Sequence, residues 1–380
     1  MDFLLSFYCM VKKNNLLLAS LSILVLLSLF CKKGPGEENY LEPINVSNNP
    51  ARSIEPSIAV DSKGTVHLVW TDYTPGERQI FYAFKPKGGV WTVPVNVSNT
   101  YQSASCPSLV VDKEDNLHLA WQQWVNGLGW VIFYSYQLPS GGWSTPETII
   151  ATGGDVGPKI VVDSVGRVFM VWYGGGYSGR IYFSLRETNG MWTSPVPLCE
   201  RGYVDFEPEI AVDKKGKVHV AWNFWDGGYS SNVFYTMRDT MGNWSEPSII
   251  FAIDSFADYP VLTSDKDGNV HIAWWDSTLI YMYKSPEGNW SAPEFPGVGL
   301  SPEAIAIDNN GTVYIAYLGP RLIKKTKDGS WEKPILVVRR LGGIPSLAID
   351  NEGIKHLAWD CTPPDTIDTQ DIYYVEVKDY

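Results

Sequence analysis

Residues 56 to 72 read Pro56-Ser-Ile-Ala-Val-Asp61-Ser-Lys-Gly64-Thr-Val-His67-Leu-Val-Trp70-Thr-Asp72. Two apolar segments of this stretch flank a four-residue turn that begins at Asp61 and ends at Gly64. An Asp side chain can accept hydrogen bonds from the turn's own backbone, and Gly supplies the positive φ that a tight hairpin needs. The stretch therefore predicts a β-hairpin with a buried aromatic residue, Trp70, on its second strand.

The hairpin pattern is repeated along the rest of the chain. The turn aspartate recurs at Asp61, Asp112, Asp163, Asp213, Asp265, Asp308 and Asp350. Nine residues after each of them stands an aromatic residue, at Trp70, Trp121, Trp172, Trp222, Trp274, Tyr317 and Trp359. Glycine ends the turn in every copy except the second, where Asp115 takes its place. Seven copies of one hairpin predict a repeat fold.

A second pattern, Trp-x-x-Pro, follows each of the first six hairpins. Its tryptophans are Trp91, Trp143, Trp192, Trp244, Trp290 and Trp331. Each period of about 42 to 52 residues then holds four short strands, which is the size of a propeller blade. The seventh copy ends one strand short, and Tyr40-Leu-Glu-Pro43 matches Trp91-Thr-Val-Pro94. We therefore predict an all-β, seven-bladed β-propeller over residues 40–380, closed by its N-terminal strand in the last blade.

Charge and composition limit the partners of this domain. The net charge of −12 argues against nucleic-acid binding and against a basic membrane-binding surface. A repeat in which each blade is buried only by its neighbours forms one domain despite its length. We expect a monomer.

The N-terminal 30 residues have the features of a bacterial signal peptide. Lys12 and Lys13 precede an apolar run from Leu16 to Phe30, and Cys31 stands where a lipoprotein would be lipidated. Phe30 departs from the lipoprotein pattern, which has a small residue there, so ordinary cleavage or a retained anchor is the alternative. Residues 31–39 read as a flexible tether. The expected location is the bacterial cell envelope, with membrane contact only through the lipid, or secretion if Cys31 is not lipidated.

The histidines predict packing rather than catalysis. All five stand six residues after a turn aspartate, at His67, His118, His219, His271 and His356. Phe169 and Tyr314 fill the same position in the other copies, so it tolerates aromatic residues without an imidazole. This leaves no histidine for a triad or a metal site. The sequence predicts no cofactor and no metal, and three thiols in the body rather than a disulfide framework.

Four of the sixteen tryptophans lie outside both repeated positions, at Trp124, Trp130, Trp225 and Trp275. All four map to the loops between second and third strands. The same loops or the strand ends beside them carry Tyr73, Tyr173, Tyr177, Tyr229, Asp72, Asp226 and Asp276. Aromatic faces beside carboxylates suit sugar rings, which stack on one side and donate hydroxyl hydrogen bonds. The alternative is that these aromatic residues pack the loops onto the disc.

The repeated layout of hairpin, third strand and Gly-x-Trp resembles the bacterial neuraminidase repeat (Asp-box) propellers of the sialidase superfamily. Lys327-Asp-Gly-Ser-Trp331 and Gly242-Asn-Trp244 are degenerate versions of that box. The resemblance implies a propeller that acts on or binds carbohydrate. The family's first catalytic arginine opens a first strand, and the matching positions here are Ile54, Val156 and Gly343. No copy supplies the arginine, which argues against sialidase activity.

Two functions remain open from the sequence. One is a non-catalytic propeller that binds a glycan or an envelope protein through the loop face. The other is a glycoside hydrolase or other carbohydrate-active enzyme that uses a pair of carboxylates, for which Glu55 and Glu207 are the candidates.

Overall fold

A computed structural model describes residues 41–138, 141–149, 152, 154–175, 179–199, 204–225, 231–251, 257–338, 342–362 and 369–378. Residues Tyr40–Tyr380 form one compact unit. The secondary structure of the described residues consists of strands, and no helix in these ranges is long and apolar enough to cross a membrane. The predicted signal peptide, Cys31 and the tether lie outside the described residues.

The strands form seven antiparallel sheets, so the predicted seven-bladed propeller is confirmed. The first blade contains β2 (Ser53–Val60), β3 (Val66–Asp72), β4 (Gln79–Lys85) and β5 (Val95–Asn96). The second contains β6 (Ala104–Val111), β7 (Leu117–Val125), β8 (Gly129–Tyr136) and β9 (Glu147–Ile149). The third contains β10 (Val156–Val162), β11 (Val168–Gly174), β12 (Arg180–Arg186) and β13 (Val196–Pro197). The fourth contains β14 (Val204–Val212), β15 (Val218–Trp225), β16 (Ser231–Arg238) and β17 (Ser248–Ile249).

The remaining blades follow the same order with small differences. The fifth contains β18 (Asp258–Ser264), β19 (Val270–Asp276) and β20 (Thr278–Lys284). Its fourth position is held by single bridges, such as that between Tyr281 and Glu294. The sixth contains β21 (Pro302–Ile307), β22 (Val313–Tyr317), β23 (Arg321–Lys325) and β24 (Ile335–Leu336). The seventh contains β25 (Ser346–Ile349), β26 (Lys355–Cys361), β27 (Asp371–Val377) and the N-terminal β1 (Ile44–Asn45).

The N-terminal strand closes the ring as predicted. Ile44 pairs with Tyr374 and Asn45 with Tyr373. Asp371 Oδ2 accepts a hydrogen bond from Asn45 Nδ2, and Asp371 Oδ1 accepts one from Ser47 Oγ. These bonds join segments more than 300 residues apart, so closure depends on long-range contacts.

The first strands of successive blades lie next to one another in a closed ring, from β2 through β25 and back to β2. The second strands carry the repeated tryptophans, which are almost completely buried. The Asp turns occupy one face of the disc, here called the Asp-turn face. The opposite face, here called the mouth face, contains the beginnings of the first strands, the ends of the second strands and the loops that follow them. Register pairs such as Ser53 with Asp72 place these two sets side by side.

The histidines are held inside the blades. In each of the five histidine-containing blades, imidazole Nδ1 lies 2.6 to 2.9 Å from a tyrosine hydroxyl of the third strand. Nε2 faces the turn aspartate at 3.1 to 3.5 Å. The Trp of the next blade's Trp-x-x-Pro pattern packs edge-on against that tyrosine, as Trp290 does against Tyr235. The predicted packing role is confirmed, with both imidazole partners in the histidine's own blade.

Candidate functional site at the mouth face

The first strands of six blades carry a β-bulge or register shift where they reach the mouth face, and five of these share one local pattern. The bulged residue precedes a proline, and proline has no N–H to donate to the ladder, which explains why pairing is interrupted there. In each case this residue has a positive φ of 51° to 61°, at Glu55, Cys106, Gly157, Glu207 and Tyr259. Left-handed backbone costs energy for residues other than glycine and is found often at functional sites. Both candidate glutamates of the sequence stand at this position.

Side chains at the mouth face bind the bulges across blade boundaries. Glu55 Oε2 accepts hydrogen bonds from Thr71 Oγ1 and from the backbone N–H of Cys106 in the second blade, both at 2.9 Å. Gln122 Oε1 accepts the N–H of Gly157 in the third blade at 2.8 Å. These bonds hold the bulged backbone in place and orient the Glu55 carboxylate.

Glu207 has a similar but separate setting in the fourth blade. Its Oε2 accepts a hydrogen bond from Asn223 Nδ2 at 2.9 Å. Two blades lie between Glu55 and Glu207 on one side of the ring and three on the other. The two glutamates therefore occupy equivalent places in different blades, each with its own hydrogen-bond donors.

The negative charge of Glu55 acts on a second carboxyl group, Asp360, which the sequence did not single out. Burial raises the pKa of Asp360 to about 6, and the negative charge of Glu55 adds to the rise. Asp360 Oδ1 accepts the N–H of Ile344, and Oδ2 accepts a bond from Gln370 Nε2 at 3.0 Å. Gln370 in turn accepts a bond from Arg52 Nε at 2.6 Å. Asp360 directly follows the repeated Trp359, so the register of Thr71 and Asn223 could have identified it.

Two further carboxyl groups at this face are protonated more readily than usual. Burial raises the pKa of Asp205 to about 7, against a hydrogen bond from Trp222 Nε1 that acts to lower it. Burial likewise raises the pKa of Asp258 to about 6, and the charge of Asp276 contributes to the rise. Groups with such values can donate or accept a proton near neutral pH.

The four tryptophans predicted to lie in loops are instead at strand ends, on β7, β8, β15 and β19, because these strands extend further towards the mouth face than the sequence indicated. The predicted aromatic residues also differ in how much of their surface is accessible. Trp225 is 40% exposed, while Trp124, Trp275 and Tyr73 are half-buried. Trp130 is only 5% exposed, because Trp124 packs edge-on against it and the Arg78 guanidinium lies over its ring at 5.4 Å. Tyr177, Asp226 and Tyr229 lie outside the described residues.

The two predicted aspartates that the structure describes are buried. Asp72 Oδ2 accepts bonds from Asn49 Nδ2, Ser53 Oγ and Trp70 Nε1, and Oδ1 accepts the N–H of Thr74. Four hydrogen-bond donors and full burial indicate that Asp72 holds the end of its strand in place. Asp276 is 5% exposed at the equivalent position of the fifth blade. Both carboxyl groups are therefore largely inaccessible from the surface of the mouth face.

Within the described ranges, no group of three His, Cys, Asp or Glu side chains is arranged to hold a metal ion. Cys106, Cys199 and Cys361 form no disulfide with one another.

Comparison with known proteins gives the fold. No protein-family model and no curated protein matches this chain. Among solved structures, the polysaccharide lyase Uly1 superposes with a TM-score of 0.61 at 12% identity, over 92% of this chain and 94% of that one. The BP39L lectin from Burkholderia pseudomallei gives 0.60 at 12% identity, over 85% and 98%. A leech intramolecular trans-sialidase gives 0.53 at 12% identity, over 91% and 70%. At such identities the chain is similar to a lyase, a lectin and a sialidase-like enzyme in fold alone.

Proposed function

We propose that this protein binds a glycan through the mouth face. The observation that carries the proposal lies on one strand, β15. Trp225 presents an exposed indole at the strand's end, and two residues earlier Asn223 holds the half-buried carboxylate of Glu207. An apolar ring face beside an oriented carboxylate is the combination that stacks on a sugar ring and accepts its hydroxyl groups.

Further aromatic residues lie at the mouth face in other blades, which favours an extended ligand. Half-buried Trp275 lies at the end of the second strand in the fifth blade, beside the half-buried Asp258 and the buried Asp276. Half-buried Tyr73 lies at the first blade, with the Arg52 guanidinium over its ring at 5.9 Å. Several such places on a rigid scaffold suit an oligosaccharide better than a single small molecule.

The test is a glycan-array screen of residues 32–380. Specific binding that Trp225→Ala reduces would support the proposal. No glycan bound on the array, together with capture of an envelope protein, would replace it with the protein-binding alternative.

A catalytic function is the second candidate, favoured by the relation between Glu55 and Asp360. A buried acid whose pKa is raised by burial and by the negative charge of a glutamate is the arrangement that carbohydrate-active enzymes use for proton donation. In this role Asp360 would protonate the glycosidic oxygen as the bond from that oxygen to the anomeric carbon breaks. Glu55 would either attack the anomeric carbon itself or take a proton from the water that attacks it. Products released from any bound oligosaccharide, and lost in Glu55→Gln, would favour the enzyme. Binding without turnover would favour the lectin-like function.

A further inference from the structure

The seams between blades contain a repeated charge arrangement on the Asp-turn face. Where two blades meet, a lysine or arginine at the end of the third strand of one blade lies over an aromatic ring on the third strand of the preceding blade. The pairs are Lys85 with Tyr374, Arg186 with Tyr134, Arg238 with Phe183, Lys284 with Tyr235, and Lys325 with Tyr281.

Three of these cations are neutralised by a glutamate of the preceding blade. Lys85 Nζ binds Glu376 Oε1 at 2.7 Å, Arg186 Nη2 binds Glu147 Oε1 at 2.9 Å, and Lys325 Nζ binds Glu294 Oε1 at 2.6 Å. In two of them the other carboxylate oxygen accepts an indole N–H. Trp192 Nε1 donates to Glu147 Oε2 at 2.7 Å, and Trp331 Nε1 to Glu294 Oε2 at 2.8 Å. The carboxylate thus bridges an ammonium or guanidinium and an indole of the next blade.

The seam between the fourth and fifth blades has the donors without the glutamate. Glu147 pairs with Tyr134, and Glu294 with Tyr281, and the residue in the same register with Tyr235 is Ser248. Lys284 Nζ lies 5.2 Å from the Tyr235 ring and 4.8 Å from the Trp290 ring. Among the described residues, neither Lys284 Nζ nor Trp290 Nε1 has a hydrogen-bond acceptor, and no carboxylate acts on Lys284.

The charge around this seam is positive rather than balanced. Burial lowers the pKa of Lys284, and the charge of Lys217 lowers it further. Both lysines act on His219, whose pKa burial already lowers. The nearby Asp213 is occupied, because its Oδ1 accepts the N–H groups of Lys215 and Lys217 and its Oδ2 faces His219. The seam between the third and fourth blades also lacks the glutamate, because Val196 is in register with Phe183, the ring over which Arg238 lies.

We propose that the seam of the fourth and fifth blades, formed by Lys284, Lys217 and Trp290, binds the carboxylate of an acidic sugar. The ligand carboxylate takes the place that Glu147 and Glu294 occupy in their own seams. It accepts hydrogen bonds from Lys284 Nζ and from the Trp290 indole. A uronic acid unit fits this place because its carboxylate sits directly on a ring that can lie beside the half-buried Trp290. The site lies on the face opposite the mouth and does not depend on the function proposed there.

The test compares oligogalacturonate with its neutral methyl ester by isothermal titration calorimetry on the full chain. We expect the acid to bind and the ester not to bind. Lys284→Gln and Ser248→Glu should each weaken binding about tenfold or more, because a charge-assisted hydrogen bond is lost or taken up by the new glutamate. Ser248→Glu should also raise the melting temperature, since it installs the ion pair of the neighbouring seams. Its loss of binding therefore cannot come from unfolding.

Lys325→Gln is the matched control. It removes the same charge from the equivalent position of the next seam, where the lysine is already paired with Glu294. The affinity for oligogalacturonate should therefore stay within about twofold of the wild type. Equal affinity for the methyl ester, an equal loss in Lys325→Gln, or no loss in Ser248→Glu would overturn the proposal. Binding to phosphatidylglycerol vesicles with the same dependence on Lys284, without binding to the oligosaccharide, would overturn it in favour of a lipid headgroup.

Discussion

Tyr235 Oη lies 2.7 Å from His219 Nδ1, and the other imidazole nitrogen faces Asp213 at 3.5 Å. The third blade replaces both aromatic partners, with Phe169 and Phe183 stacked at 6.4 Å. There the turn aspartate, Asp163, is bound instead by Arg167 at 2.7 Å. The identity of the residue six positions after the turn is therefore coupled to two other positions in the same blade.

This coupling predicts the cost of removing an imidazole. His219→Phe alone should lower the free energy of unfolding by about 1–3 kcal/mol, because it leaves the buried Tyr235 hydroxyl without its partner. The triple variant His219→Phe, Tyr235→Phe, Lys217→Arg reproduces the third blade and should recover most of that loss. Urea denaturation of the single and triple variants measures both values. A triple variant no more stable than the single one would show that the three positions are not coupled.

The same histidines predict how stability depends on pH. Burial lowers the pKa of His67, His118, His219 and His356, although the turn aspartates act to raise it. In the unfolded chain these histidines are protonated near pH 6.5, whereas in the folded protein they are protonated only at lower pH. Their contribution to the free energy of unfolding is therefore complete above about pH 6.5 and is lost as the pH falls. Asp205, Asp258 and Asp360 act in the opposite direction, because their raised pKa values favour the folded state on acidification.

Melting temperatures measured between pH 7.5 and 5 distinguish the contribution of the histidines from that of the three aspartates. The triple variant that includes His219→Phe should lose less stability over this range than the wild type, since one buried imidazole no longer resists protonation. Identical pH profiles for both proteins would mean that His219 does not titrate differently in the folded and unfolded states.

The repeat pattern predicts the blades, and the reason is physical. An Asp–Gly turn and a buried tryptophan such as Trp70 are local requirements of one hairpin, so each copy is recognisable within about twenty residues. The closing strand was found in the same way, since Tyr40 and Pro43 repeat a pattern that six other blades show. Comparison of the seven equivalent positions also indicated that the histidines have a packing role, although the accompanying changes at Phe183 and Arg167 became evident only in the structure.

The contacts at the mouth face and at the seams could not be predicted in this way, because they join residues of different blades. Nothing near Glu55 in the sequence indicates that its carboxylate binds the N–H of Cys106, 51 residues away. Asp360 became a candidate only through its burial and its bond to Gln370. Trp130 looked like Trp225 in the sequence, and only packing against Arg78 and Trp124 distinguishes them.

Closure of the ring by the N-terminal strand predicts the effect of a truncation. Deleting residues 38–48 removes β1 and the Ser47 hydroxyl, which donates to Asp371 and accepts the N–H of Ile372. The outer edge of β27 is then exposed, and aggregation or loss of cooperative unfolding should follow. Deleting only residues 32–37 is the control. A truncated protein that melts at the same temperature as the control would contradict the closure.

Lipid attachment at Cys31 remains a prediction from the sequence. Metabolic labelling with a fatty-acid probe in a bacterial host should mark the wild type and leave Cys31→Ser unmarked. Several acyl chains would anchor the protein stably, whereas a single one would not. If the wild type takes up no label, Phe30 prevents lipidation of Cys31. The protein is then secreted or anchored by its uncleaved signal peptide.

The glycan proposal predicts that accessible and buried tryptophans behave differently. Trp225→Ala should weaken binding by about 1 kcal/mol with little change in melting temperature, because an exposed indole contributes stacking and little core packing. Trp130→Ala is the matched control on the same face. It should lower the melting temperature clearly, since Trp130 is buried against Trp124 and Arg78. Binding is followed by quenching of tryptophan fluorescence, and stability by thermal melting. If Trp225→Ala melts several degrees earlier and binds glycan as the wild type does, the indole packs its loop and the mouth face loses its main support as a sugar site.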